Sequence, residues 1–305
     1  MGSSVSNHYL DEGSRHSPRQ RWIRLRRAIR ALKPDIVVSH SALPNLYSRA
    51  AAPPRMPVVT VLHSAGDDFQ DWRLRVSERI LQTRRGGVVS VSQSQASVYR
   101  THFPRVQPVV IANGVRDALP VRSSRGLGRP VEVVSISRIA DQKNPRLWID
   151  VCGELDPSLF SLTWYGPIDL NGLLAPDTVM SYRAQNPSRM PGPIEDVGAA
   201  MIEADILFSS SDREALSVGL LEGAAVGIPI VCSDSVAATL PCYLPVSTFA
   251  AGDAHAAATA LQQVAASYDS FQRSAVLASS RVREEFSADS AARKYVALFE
   301  QLTEV

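Results

Sequence analysis

Cysteine, lysine and long apolar runs are all scarce in this 305-residue chain. The three cysteines, Cys152, Cys232 and Cys242, show no CxxC or other metal-ligand spacing. That excludes a disulfide framework and a cysteine-built metal site, and it predicts a reducing, cytoplasmic setting. No stretch approaches the ~20 uninterrupted apolar residues of a membrane span, and no apolar signal core is seen near the N-terminus. The expected protein is therefore soluble, at most peripheral on the inner face of a membrane. No Asp-x-Asp carboxylate pair is present either, so no metal site is expected. Repeats and low-complexity tracts are missing as well. Lysine occurs only at Lys33, Lys143 and Lys294, and the other basic residues are arginine. With 32 Lys and Arg against 30 Asp and Glu, the net charge of +2 is too balanced for a general nucleic-acid binder. A 45% hydrophobic content is enough for two cores.

What is present is alternation. "DIVVSH" (35–40), "PVVTVLH" (57–63), "GVVSVS" (87–92) and "PVVIANG" (108–114) read as buried parallel strands. Residues 71–85 and 94–103 have helical spacing. Residues 121–130, "VRSSRGLGRP", read as a linker. The pattern then restarts with strands at 131–137, 160–166, 205–210 and 228–233. A helix starts at the Asn144 cap with Pro145 in its first turn, and helical sequence fills roughly 253–303. The expectation is an α/β protein of two Rossmann-like, doubly wound parallel-sheet domains, 1–118 and 119–305, with strand ends facing a cleft where ligands bind.

Two local patterns carry chemistry. In "SSSDREALSVGLLEGAA" (209–225), Glu214 falls in a strand-to-helix loop and Glu222 more than a turn into a helix starting near Ser217. Val218, Leu221 and Ala225 are expected to face the sheet. Gly219 and Gly223 would form a flat strip open to close approach. The amides of 217–219 would attract an anion such as phosphate, and the carboxylates would accept hydrogen bonds from sugar hydroxyls. Two carboxylates about a phosphate site suit a nucleotide sugar. A loop glutamate and a helix glutamate that simply reach solvent are the plainer alternative. In "SRIADQKNP" (137–145), Arg138 and Lys143 sit at a second strand-to-helix turn, where two cations and a helix tip can neutralise a diphosphate.

These motifs, in this order, resemble the retaining GT-B glycosyltransferases of glycosyltransferase family 4. "VEVVSISRIADQKNP" is similar to the family's phosphate loop, with Ser137 where Gly is usual. "LTWYGP" resembles the strand ending in a donor-side Gly, here Gly166. Residues 190–234 resemble the stretch bearing the E-x7-E signature, with Ala215 and Gly223 as mild departures. The resemblance implies donor-diphosphate binding by Arg138 and Lys143, and sugar contact by Glu214. It implies sugar and phosphate support from the amides of Leu216, Ser217 and Val218, and ribose binding by Glu222. Backbone at Gly192–Ile194 would meet the base, and His63 would lie near the donor sugar. A strand-end histidine satisfied by backbone is the alternative for His63.

The implied activity is metal-independent, retaining hexosyl transfer from a nucleotide-diphosphate sugar, as substrate and with no cofactor, to a hydroxyl acceptor on a glycolipid, polysaccharide or natural-product glycan. The transfer is expected on the front face, the leaving phosphate helping to deprotonate the acceptor. A catalytically weak donor-binding subunit acting with a partner chain is the alternative. The early Gly-rich strand and helices of the family's acceptor domain have no counterpart, so the domain is expected to be incomplete and to associate, as a homo-oligomer or with a partner, through residues before about Gly114. Residues 19–34, rich in arginine and free of acids, either lie on an anionic membrane near a lipid-linked acceptor or pack on the sheet.

Overall fold

The computed structural model describes residues 17–64, 69–82, 85–123 and 126–304. Positions 83–84 of the expected second helix and 124–125 of the expected linker lie outside the described residues. The chain divides into two compact units, Met1–Ile111 with Lys294–Val305, and Ala112–Arg293.

In the first unit, helices α1 (Pro18–Leu32), α2 (Ala42–Ala51), α3 (Trp72–Leu81) and α4 (Gln93–His102) alternate with strands β1 (Val37–His40), β2 (Val58–Leu62), β3 (Gly86–Ser90) and β4 (Val109–Val110). The four strands are parallel in the order β1-β2-β3-β4. Every residue of β2 is buried, as expected where a parallel strand is covered on both faces. Its one polar side chain, Thr60, accepts from Arg49 at 2.7 Å, and Arg49 also pairs with Glu78 at 2.6 Å. Tyr99 donates to the same Glu78 oxygen at 2.5 Å. These residues come from α2, α3 and α4, so one buried network ties three helices to the sheet. Within "PVVIANG" only Val109–Val110 is strand, and Ile111 N–H makes one further bond, to the Ser90 carbonyl at 2.9 Å.

The second unit holds β5 (Val131–Ile136), α5 (Pro145–Glu154), β6 (Phe160–Tyr165), α6 (Pro176–Gln185), α7 (Val197–Glu203), β7 (Ile206–Ser209), α8 (Val218–Val226), β8 (Ile230–Ser233), α9 (Asp234–Ala237), β9 (Val246–Phe249), α10 (Ala254–Ala266) and α11 (Tyr268–Glu285). The last helix, α12 (Ala288–Thr303), starts in this unit and ends in the first. The parallel sheet runs β6-β5-β7-β8-β9. Trp148 of α5 and Trp164 of β6 fill its core, with Trp148 donating to Ser135 Oγ at 3.0 Å. Strand β9 and helices α2, α6 and α7 were not evident in the sequence. Arg122, inside the stretch read as a linker, is fully buried and donates to the Met201 and Ala204 carbonyls and to the Tyr268 hydroxyl.

The alternation of strand and helix thus gives the expected α/β architecture of two parallel sheets. In the second sheet the chain runs outward from β5 to β6, crosses back to β7, and then runs the opposite way to β8 and β9. That makes the carboxyl ends of β5 and β7 a topological switch point, the usual ligand position in open α/β sheets.

Candidate donor-binding site

The loops after β5 and β7 are neighbours because their strands are. The Asn144 side chain donates to Asp212 at 2.7 Å, Ser210 Oγ donates to the Lys143 carbonyl at 2.7 Å, and Asp212 N–H to the Gln142 carbonyl at 3.3 Å. Asn144 caps α5 through Leu147 N–H, as its sequence position predicts, and adopts φ 46° to do so. A 3-10 turn over Asp141–Lys143 precedes it. This stitching brings Lys143 Nζ onto Glu214 Oε1 as a mostly buried ion pair, and Ser211 Oγ donates to the same oxygen at 3.0 Å. Arg138 remains half exposed and pairs with Asp169 at 2.8 Å. Beside these groups lies a small pocket whose lining includes Ser137, Lys143, Ser209, Ser211, Ser217 and Gly219 together with the apolar Ile136, Trp164, Leu207, Phe208 and Leu220.

Helix α8 begins where expected. Ser217 is its N-cap, accepting from Leu220 N–H at a long 3.5 Å, and Gly227 ends it at φ 88°. The amides of Val218 and Gly219 stand in the first turn, where no intrahelical acceptor exists, so the tip is electropositive. Leu216 is buried just ahead of the cap.

One expectation for this helix needs correction. Val218 does not face the sheet and is 37% exposed, whereas Leu221 and Ala225 are fully buried. The close approach expected at the glycines is made by the protein's own atoms. A Cβ on Gly219 would stand 3.1 Å from the Ile136 carbonyl, and one on Gly223 would stand 2.2 Å from Leu207 Cδ2.

Glu222 has a partner that sequence reading missed. Arg116 Nε donates to Oε1 at 2.7 Å and its terminal nitrogen to Oε2 at 3.3 Å. The Glu222 side chain is 6% exposed and that of Arg116 56%. Arg116 is held in place by its neighbour, since Val115 N–H donates to the Phe286 carbonyl at 2.7 Å and Val115 bridges Ser287. A lone carboxylate in an apolar helix signals that a cation is needed, but nothing in the sequence identifies one 106 residues away.

Gly166 follows β6 at φ 153°, and a Cβ there would lie 1.9 Å from the Ser137 carbonyl, so only glycine fits. Its N–H donates to Gly192 O at 2.9 Å, which sets Gly192, at φ 110°, and the half-buried Ile194 along the same rim.

His63 lies in the first unit, one residue past β2. His40 ends the adjacent β1, and the two rings are hydrogen-bonded, Nδ1 of His40 to Nε2 of His63 at 2.8 Å. His63 is solvent-exposed, yet its pKa is held below the usual 6.5, by partial burial first and by the His40 charge second.

Comparison with known proteins places this chain. The family model described as Glycosyltransferase Family 4 matches residues 4–119. That match takes in a little over a third of the chain, all of it in the N-terminal part. Two curated relatives match part of the chain. "Putative colanic acid biosynthesis glycosyltransferase WcaL" of Salmonella typhimurium is 28% identical over 122 residues, 36% of this chain and 29% of the relative. Its Escherichia coli counterpart is 27% identical over 114 residues, 33% of this chain and 27% of the relative. The chain thus matches less than a third of these relatives' length. Among solved structures, Anabaena Alr3699/HepE in complex with UDP and glucose aligns with a TM-score of 0.79 at 17% identity, over 93% of this chain and 82% of that one. Sucrose-phosphate synthase from Thermosynechococcus elongatus aligns at 0.77 and 16% identity, over 93% and 78%. At such identities the likeness establishes the GT-B-like fold alone.

Proposed function

We propose that the chain transfers a hexose-type sugar from a nucleoside diphosphate sugar to a hydroxyl acceptor, with retention of configuration and without a metal ion. One observation carries this reading. Lys143, Glu214, Arg138 and the α8 tip converge at the switch point of one parallel sheet, and the buried Glu222 carboxylate lies along the same helix. Arg138, Lys143 and the amides of Leu216–Val218 hold the diphosphate and stabilise the charge it gains on leaving. Glu214 turns from Lys143 to the sugar, Glu222 accepts from the ribose diol, and backbone at Gly192–Ile194 meets the base beside Gly166. Arg116 occupies one side of the Glu222 carboxylate, whose remaining lone pairs serve the ribose. The acceptor oxygen bonds to the anomeric carbon as the bond to the diphosphate breaks, and its proton passes to a leaving phosphate oxygen. The sequence supports metal independence by lacking an Asp-x-Asp pair. The solved HepE complexes with UDP, glucose and UDP-glucose support the donor class, and the WcaL relatives, described as putative colanic acid biosynthesis glycosyltransferases, support a polysaccharide hydroxyl as acceptor.

Calorimetry with UDP tests the site. Arg138→Ala and Lys143→Ala are each expected to weaken binding by about 1.5–3 kcal/mol, the range for hydrogen bonds to charged groups. Unchanged affinity in both would remove the phosphate assignment. Hydrolysis of UDP-glucose by the purified chain would separate an active transferase from a donor-binding subunit.

A further inference from the structure

The net charge of +2 conceals a division between the units. Residues 1–111 with 294–305 hold 18 Lys and Arg against 9 Asp and Glu, a net +9. Residues 112–293 hold 14 against 21, a net −7, and the two add to +2. Within the basic unit, α3 carries an exposed apolar stripe. Trp72, Val76 and Ile80 are 62%, 48% and 65% exposed, and their four-residue spacing puts them on one helix face. Arg73, Arg75 and Arg79 are exposed along the same helix, with the Arg73 guanidinium 5.8 Å from the Trp72 ring centroid. Among the described residues neither Arg75 nor Arg79 has a carboxylate partner. The helix's own acid, Glu78, is turned inward to Arg49 and Tyr99, and Asp71 caps the first turn. Arg79 and the exposed Arg105 share a hollow beside the stripe. Helix α1, the other arginine-rich segment, has its apolar side toward α2 with Ile29 buried.

We propose that α3 docks the first unit on an anionic lipid bilayer, with Trp72, Val76 and Ile80 at the acyl boundary and the arginines among the headgroups. An exposed apolar stripe flanked by cations is what an interfacial helix needs, and tryptophan favours that depth. Charge decides the occupant. A second copy would present the same net +9 unit and the same arginines, and a nucleic acid would leave Val76 and Ile80 without apolar contact. The proposal is independent of the sugar-transfer reading.

The test is flotation of the full chain with phosphatidylcholine vesicles containing ~30% phosphatidylglycerol, against phosphatidylcholine alone. Binding is expected to the anionic vesicles only. Arg75→Gln with Arg79→Gln should weaken partition about 30-fold, and Trp72→Ser with Ile80→Ser about tenfold or more. Both variants alter exposed side chains, so their melting should match that of the unaltered chain. Equal binding by either variant and the unaltered chain, or equal binding to neutral vesicles, would overturn the proposal. So would a dimer that the Trp72→Ser/Ile80→Ser variant abolishes while no vesicle is bound, since that would assign the stripe to a second copy.

Discussion

At the scale of single residues, the charged groups of the candidate site are already paired with one another. Lys143 neutralises Glu214, and Arg116 neutralises Glu222. A carboxylate in a helix as apolar as α8 would be costly without that guanidinium. Arg116→Ala is therefore expected to destabilise the second unit by about 1–2 kcal/mol, less than for a fully buried pair because half of Arg116 is in water; denaturant unfolding would show it. The two glutamates should separate by readout. Glu222→Gln should weaken UDP binding, since ribose belongs to the free nucleotide, while Glu214→Gln should spare UDP affinity and lower transfer. Identical behaviour would refute the division of roles. His63 gives a pH signature. With its folded pKa below 6.5, it stays neutral where the unfolded ring takes a proton, so its contribution to stability is full above about pH 6.5 and is lost as pH falls through the folded value. An imidazole NMR titration should place the His63 midpoint below 6.5. His40→Gln should move it part of the way back, burial being the larger cause.

At the scale of elements, α8 illustrates how close packing sets composition. It is buried over Leu220–Val226 between the sheet and α11, so neither helix face is free to be polar. Gly223 exists because Leu207 of β7 fills the space a side chain would need. Gly223→Ala is expected to cost about 1–3 kcal/mol through overpacking, whereas Gly153→Ala in α5, where an added Cβ meets nothing, should stabilise by about 0.5 kcal/mol. Thermal melts of the pair would show opposite signs. The close approach that sequence reading expected at Gly223 is thus made by a neighbouring leucine.

At the scale of the whole molecule, the C-terminus belongs to the first sheet's unit. Leu298 is buried, a Cβ added at Gly87 would touch it, and Arg85 donates to the Leu302 carbonyl at 2.6 Å. Removal of residues 294–305 should raise amide hydrogen exchange in β2 and β3 and leave β5 and β7 protected. Equal loss in both sheets would contradict that assignment.

The sequence by itself determined the element types and the candidate site's chemistry. Apolar runs of four to six residues between amphipathic stretches admit little besides a parallel α/β sheet, and capping at Asn144, Ser217 and Gly227 is local stereochemistry readable from residue type. Elements with weaker local signals went unread. Strand β9 is four residues long, α7 seven, and α2 carries a proline at its third position. Only the tertiary structure decided the pairings. Arg116 with Glu222, Arg49 with Glu78 and Tyr99, Arg122 with the carbonyls of α7, and α12 with the first unit all join residues far apart in sequence. A buried charge announces that a partner must exist, but which distant residue meets it depends on strand order and on the register of packed helices, and these arise only when the whole chain is folded.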